Sequence, residues 1–287
     1  MIALAVRVVI PIALVAGVAS VASPAFAEPV SGLKSHTHIH GLAVDRSDPA
    51  YLFIATHHGL YRASPDGEAE LVSVVQDFMG FSPHPSDANA LYASGHPAGG
   101  GNLGLIASND GGRTWTQVSP GANGPVDFHQ MTVSLADPST IYGAYGDLQM
   151  SRDGGNTWTI VAPAPERLID LTASSKDAEV VYAATEVGLL LSLDAGKTWK
   201  PLIDTAPATM VEVTADGTMY AFLFGQGLAT AKEGVFNWSV VSGDWDQDFI
   251  LHLAVDPADP DRMFAATGNG HIVASGDRGK TWAPFGQ

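Results

Sequence analysis

One eight-residue pattern, Ser-x-Asp-x-Gly-x-Thr-Trp, occurs four times in this 287-residue chain: SNDGGRTW at 108–115, SRDGGNTW at 151–158, SLDAGKTW at 192–199 and SGDRGKTW at 275–282. Successive tryptophans lie 43, 41 and 83 residues apart, and the last interval is two periods. A degenerate copy is therefore required between Trp199 and Trp282, and Lys232-Glu233-Gly234 with Trp238 supplies it. A period of about 40 residues means one supersecondary unit built repeatedly, because a single unit cannot bury its own apolar face.

A second pattern keeps the same period: an apolar strand, an Asp/Pro turn, then a strand bearing an aromatic residue. Phe53, Tyr92, Tyr142, Tyr182, Tyr220 and Phe264 align in its six copies. Six copies with four short strands each, bounded by Gly, Pro and Asp, predict an all-β, six-bladed β-propeller. Seven blades are the alternative if residues 28–39 contribute more than a flank. Within the eight-residue motif, Asp and Gly suit a tight turn between third and fourth strands, and Trp suits packing between blades. The motif thus has a structural reading that leaves little need for catalysis by Asp110, Asp153, Asp194 or Asp277. Blade one starts on its inner strand and blade six ends on its outer strand. The ring is then expected to close by packing of blade one on blade six, unless the N-terminal segment adds an edge strand.

Residues 1–27 read as a secretory signal: one basic residue (Arg7), an apolar run from Val8 to Val21, then Ala25-Phe26-Ala27 ahead of Glu28. Residues 28–287 are then expected to form a single propeller domain, periplasmic or secreted, with no stable membrane insertion after cleavage. Without Arg7 the chain carries 13 basic against 30 acidic residues, a formal charge of 13 − 30 = −17. Such a field repels nucleic acid and anionic membranes and suits cations or neutral sugars. There is no cysteine, so neither disulfides nor thiolate metal ligands are available.

The four motifs resemble those of the Asp-box, or BNR-repeat, propeller superfamily, and HIHGLAVD (38–45), QDFMGFSP (76–83) and SGHP (94–97) resemble exported bacterial proteins labelled glycosyl hydrolase or sialidase-like. The resemblance implies the fold; it does not fix a function, since sialidases, receptors, xyloglucan hydrolases and assembly factors share the box. Sialidases of the superfamily hold the substrate carboxylate with three arginines at the propeller centre. Of the seven arginines after the signal, Arg113, Arg152 and Arg278 are variable motif positions, Arg46 and Arg262 flank Asp/Pro turns, and Arg62 lies in a third strand. Arg167 alone precedes an inner strand, so a three-arginine clamp is not expected. A glycosidase using two carboxylates stays open, with Asp170 and Glu212 as the channel candidates.

The ten histidines are unevenly placed. On the propeller scheme, His36, His38, His40, His129 and His252 fall at blade entries or inner strands, and His57, His58, His96 and His271 at turns between second and third strands. All nine therefore belong to one face, and only His84 falls at the other. Aligning the inner strands puts His40, Met79, Gln130, Asp170 and His252 at one level, with Glu212 within one residue of it. Imidazole and thioether on one axis suit copper, and imidazole with carboxylate suits zinc or nickel as well. The expected metal ligands are His40, His252 and Met79, with His38 or His129 in addition. The competing readings are a channel face that binds a small ligand or a protein without metal, and a wet channel whose polar residues need no special role.

Overall fold

The computed structural model describes residues 27–243 and 245–286. Six antiparallel sheets form a ring, each ordered from an inner strand outwards. The inner strands are Ile39–Val44, Met79–Pro83, Gln130–Val133, Leu168–Ala173, Ala208–Val213 and Ile250–Val255. Each lies against the inner strand of the next blade, and the sixth lies against the first. This is a six-bladed β-propeller. Residues 27–39 do not start a seventh blade.

The blades pack through apolar layers between neighbouring sheets. Between blades one and two, for example, Phe53, Leu60, Phe78, Phe81, Leu91 and Ile106 form one such layer. The aromatic residues of the second strands sit in these layers, and buried Tyr142 donates its hydroxyl to the Ala178 carbonyl at 2.6 Å. The eight-residue motif folds as a closed hydrogen-bonded turn. In the first copy, Ser108 Oγ donates to Asp110 Oδ1 at 2.8 Å, and Gly112 N donates to Ser108 Oγ at 2.9 Å. The Thr114 amide and hydroxyl donate to the two Asp110 oxygens at 2.9 and 2.7 Å. These donors hold the Asp110 carboxyl well below its usual range, at about 2, which favours the ionised form the turn requires. Gly112 has φ +86°, and a Cβ there would come within 2.2 Å of Leu60, so both backbone shape and packing demand glycine. In the degenerate copy, Glu233 takes the acid's place but is buried, accepting from Ser175 Oγ at 2.7 Å and Tyr182 OH at 3.1 Å on blade four.

Ring closure uses both devices the sequence leaves open. Ala27–Pro29 adds a fifth, edge strand to blade one, pairing antiparallel with the outer strand so that Ala27 faces Glu70 and Pro29 faces Glu68. A single helical turn, Val30–Leu33, then wedges Val30 and Leu33 into the layer between blades one and six, beside Ala266, Ile272 and Phe285. Gly286 lies against Gly67, where an added Cβ would come within 2.3 Å of the Gly67 Cα. Among the described residues no strand is exchanged between the first and last blades. Ala27, read as the last residue of the signal, is the first of this edge strand; the rest of the signal lies outside the described residues.

Candidate functional site

The unpaired edges of the inner strands line a central cavity of about 360 Å³. Backbone groups on such an edge need partners, and side chains of adjacent blades supply several. Ser82 Oγ accepts from Val133 N at 3.3 Å, Thr132 Oγ1 from Ala173 N at 3.3 Å and Asp170 Oδ2 from Val211 N at 2.9 Å. Thr209 Oγ1 donates to the Ile250 carbonyl at 2.6 Å. Much of the channel's polarity therefore stitches blade to blade.

At one end the cavity opens into a mouth of about 500 Å³ lined by His38, His40, Met79, His129 and His252 among others. The densest group of donor atoms there is His40, His57 and Asp77, whose ligand atoms all lie within 4.8 Å of one another. His57 Nδ1 is 3.1 Å and His40 Nε2 3.9 Å from Asp77 Oδ1. The His40 and His57 rings meet nearly edge to face, with centroids 4.1 Å apart, and His38 stands 5.6 Å from His57. His40 Nε2 is buried and has no hydrogen-bond partner among the described residues. Burial first, then the neighbouring histidines His57, His252, His38 and His129, lower the His40 pKa to about 3, so this imidazole is neutral at pH 7 and keeps a lone pair for a ligand. Burial also lowers His252 to about 4 and raises Asp77.

Local structure fixes these groups from three directions. His40 sits in a bulge of the first inner strand, between the Ile39–Thr56 and Gly41–Ala55 pairs. His57 follows the second strand of blade one, Leu52–Thr56. Asp77 ends the connector into blade two, which is pinned by Asp77 N to the His96 carbonyl at 3.0 Å and Phe78 N to the Thr56 carbonyl at 3.1 Å. Gly95 makes this approach possible, because a Cβ at its φ of +125° would lie 2.3 Å from the Asp77 carbonyl oxygen.

The five residues expected as metal ligands therefore share the mouth, but the tight cluster is a different one. Its members His57 and Asp77 were not among the expected ligands. His252 is not part of that cluster, although it lines the same mouth. Two register expectations need correction. Gly41, Met79, Gln130, Asp170, Met210 and His252 face residues two beyond the aromatic position of the second strand, so His40 lies one residue outside that level, in its bulge. Glu212 faces Tyr220 itself, two residues further along the channel than Asp170. The signal that could have found Asp77 is an Asp-Phe pair just before the inner strands of blades two, three and six, at 77–78, 127–128 and 248–249.

The carboxylate candidates are a poor catalytic pair. Both Asp170 oxygens accept backbone amides, Oδ1 from Leu171 at 2.8 Å and Oδ2 from Val211 at 2.9 Å. Burial raises Asp170 to about 7, and burial with the nearby Asp170 charge raises Glu212 to about 8. Arg167 is directed elsewhere, 65 % exposed and paired with Glu186 at 3.1 Å.

No protein-family model and no curated protein matches the chain. Solved structures do match in fold. The GH74 enzyme of Niastella koreensis superposes with a TM-score of 0.61 at 17% identity, over 86% of this chain and 45% of that one. The GH74 xyloglucanase of Xanthomonas campestris gives 0.58 at 20% identity, over 91% and 47%. This chain thus spans just under half the length of those enzymes. YCF48 from Cyanidioschyzon merolae gives 0.52 at 18% identity, over 86% and 84%. At these identities the likeness is one of fold, shared by hydrolases and by a protein of another name.

Proposed function

We propose that this chain is an exported, periplasmic or secreted β-propeller binding protein whose channel mouth holds a divalent transition-metal ion on His40, His57 and Asp77. The observation that carries the reading is the convergence of these three ligand atoms within 4.8 Å, with His40 Nε2 buried and unpartnered. Two imidazoles and one carboxylate suit zinc or copper(II), and Met79 beside them would favour copper if its thioether joined. His38 and His129 stand close enough to His40 to perturb it and complete the donor-rich rim. The net negative charge of the chain favours the approach of cations.

Untagged protein is expected to retain zinc through dialysis, and His57→Ala/Asp77→Asn to lose one equivalent of it with the fold unchanged by circular dichroism. At free zinc 100-fold above Kd, binding adds about 2.7 kcal/mol to stability, seen as a raised Tm in the wild type. Full zinc content in the double variant would sink the site and assign residual affinity to the HTHIH tract.

The hydrolase alternative draws on the GH74 likeness and the channel carboxylates, and is weakened by the two amides held on Asp170. The protein is expected not to release sialic acid from a fluorogenic sialoside above a buffer control. Turnover that Arg167→Ala abolishes would reverse this reading.

A further inference from the structure

The mouth contains a second convergence of donors one blade further round, and it is built by the same local device as the first. In blade one, His57 follows the second strand and meets Asp77 of the next connector. In blade two, His96 follows the second strand, Leu91–Ser94, and its Nε2 meets Asp127 Oδ2 of the next connector at 2.8 Å. The anchoring repeats as well. Phe78 and Phe128, each fully buried, come directly after the two aspartates and pack on Trp115 and Trp158, with ring centroids 4.8 and 4.7 Å apart. Phe78 N is held by the Thr56 carbonyl and Phe128 N by Ser94 Oγ, both at the end of a second strand. The third Asp-Phe pair lacks the device: Asp248 Oδ1 accepts the amides of Phe249 and Asn269.

We propose that His96, Asp127 and His129 form a second transition-metal site beside the first, so that the mouth is a two-ion centre. This rests on the reading of the first site as metal-binding. Three observations carry it. His129 Nε2 also lies 2.8 Å from Asp127 Oδ2, so two imidazoles converge on one carboxylate oxygen. The carboxylate is 1 % exposed, and its other oxygen, Oδ1, is buried with no hydrogen-bond partner among the described residues. Finally, His96 Nδ1 is 2.8 Å from the Gly101 carbonyl oxygen. A carbonyl only accepts, so Nδ1 carries the hydrogen, and the lone pair of Nε2 then faces the carboxylate. That arrangement calls for a positive charge at Nε2. The three ligand atoms do not share the 4.8 Å spacing of the first cluster, so the exposed His96 and His129 rings have to swing towards each other to close on an ion. A metal taken in this way by both Nε2 atoms and the carboxylate meets the need, and the Nδ1–H to carbonyl bond is the outer partner that ligating histidines usually have.

The test is metal content after dialysis against zinc, with wild type, His57→Ala/Asp77→Asn, His96→Ala/His129→Ala and the quadruple variant measured side by side. The His96 and His129 side chains are 44 % and 60 % exposed, so truncating them spares the core, and matched far-ultraviolet spectra and unliganded Tm values check this. Two equivalents in the wild type, one in each double variant and none in the quadruple variant are expected. Two equivalents retained by His96→Ala/His129→Ala, or a single wild-type equivalent lost only in His57→Ala/Asp77→Asn, would overturn the second site while leaving the first. A proton shared between His96 and Asp127 would give the latter pattern. A single wild-type equivalent lost only in His96→Ala/His129→Ala would support the second site and reject the first.

Discussion

Glu212→Gln is expected to stabilise the protein at pH 8.5 and to leave it unchanged at pH 4. Burial and the Asp170 charge raise the Glu212 carboxyl to about 8 in the folded chain, from an ordinary 4.5. The folded protein therefore keeps a proton that the unfolded chain releases above about pH 4.5, and stability falls as pH rises from there towards 8. A full shift of this size would correspond to more than 4 kcal/mol at about 1.4 kcal/mol per pH unit. Water reaching the channel reduces the expected gain to about 2 kcal/mol, or roughly 4–8 °C in Tm for a domain of this length. The aspartates of the eight-residue turns, such as Asp110, have the opposite sign, because their lowered pKa values stabilise above about pH 4 and lose that contribution in acid. Both proteins contain them, so they cancel in the difference. Equal melting temperatures at pH 8.5 would mean that Glu212 is hydrated and ionised, and would restore it as a candidate for chemistry in the channel.

Phe128→Ala should be among the most damaging single truncations near the mouth. The ring is fully buried, packs against Trp158 with the ring planes tilted by 44° and lies against Gly143, where a Cβ would come within 2.6 Å of it. The partner Trp158 is itself fixed, donating from Nε1 to Ser119 Oγ at 2.9 Å and to the Gly155 carbonyl at 3.0 Å, so the gap cannot collapse readily. The expected cost is about 3–5 kcal/mol, measured by urea unfolding with unchanged m. Because Asp127 and His129 flank this anchor, zinc bound at the second site should weaken in the fraction still folded. A loss below about 1 kcal/mol would show that the connector is held by its hydrogen bonds instead of by its aromatic ring.

The propeller was legible because its period is written in residues with few alternatives. Gly112 is required by both its φ and its neighbour Leu60, and Asp110 by its four local donors, so the motif survives from blade to blade. The inner-strand alignment was legible for Met79, Gln130, Asp170 and His252, which share a register level. It failed by one residue at His40 because a bulge has no sequence period, and a one-residue offset in a strand redirects the side chain. Asp77 and Asp127 were missed for a related reason. They lie in connectors, where no alternation marks which residue turns inward, and they meet His57 and His96 only because each connector crosses the preceding blade's turn. That meeting is a property of neighbouring blades packed side by side.

The seam between blades one and six has a topological consequence. Pro29 pairs beside Glu68, Val30 N donates to the Gly67 carbonyl at 2.8 Å, and Gly286 rests on Gly67. The two ends of the described chain thus converge on one hairpin, and every blade is a single continuous stretch. Joining those ends with a short linker and opening the chain in a connector between two other blades would move the break without removing a strand. The ring is in this sense cyclic in all but its covalent bonds, and the order in which its blades are synthesised is separable from the structure they form.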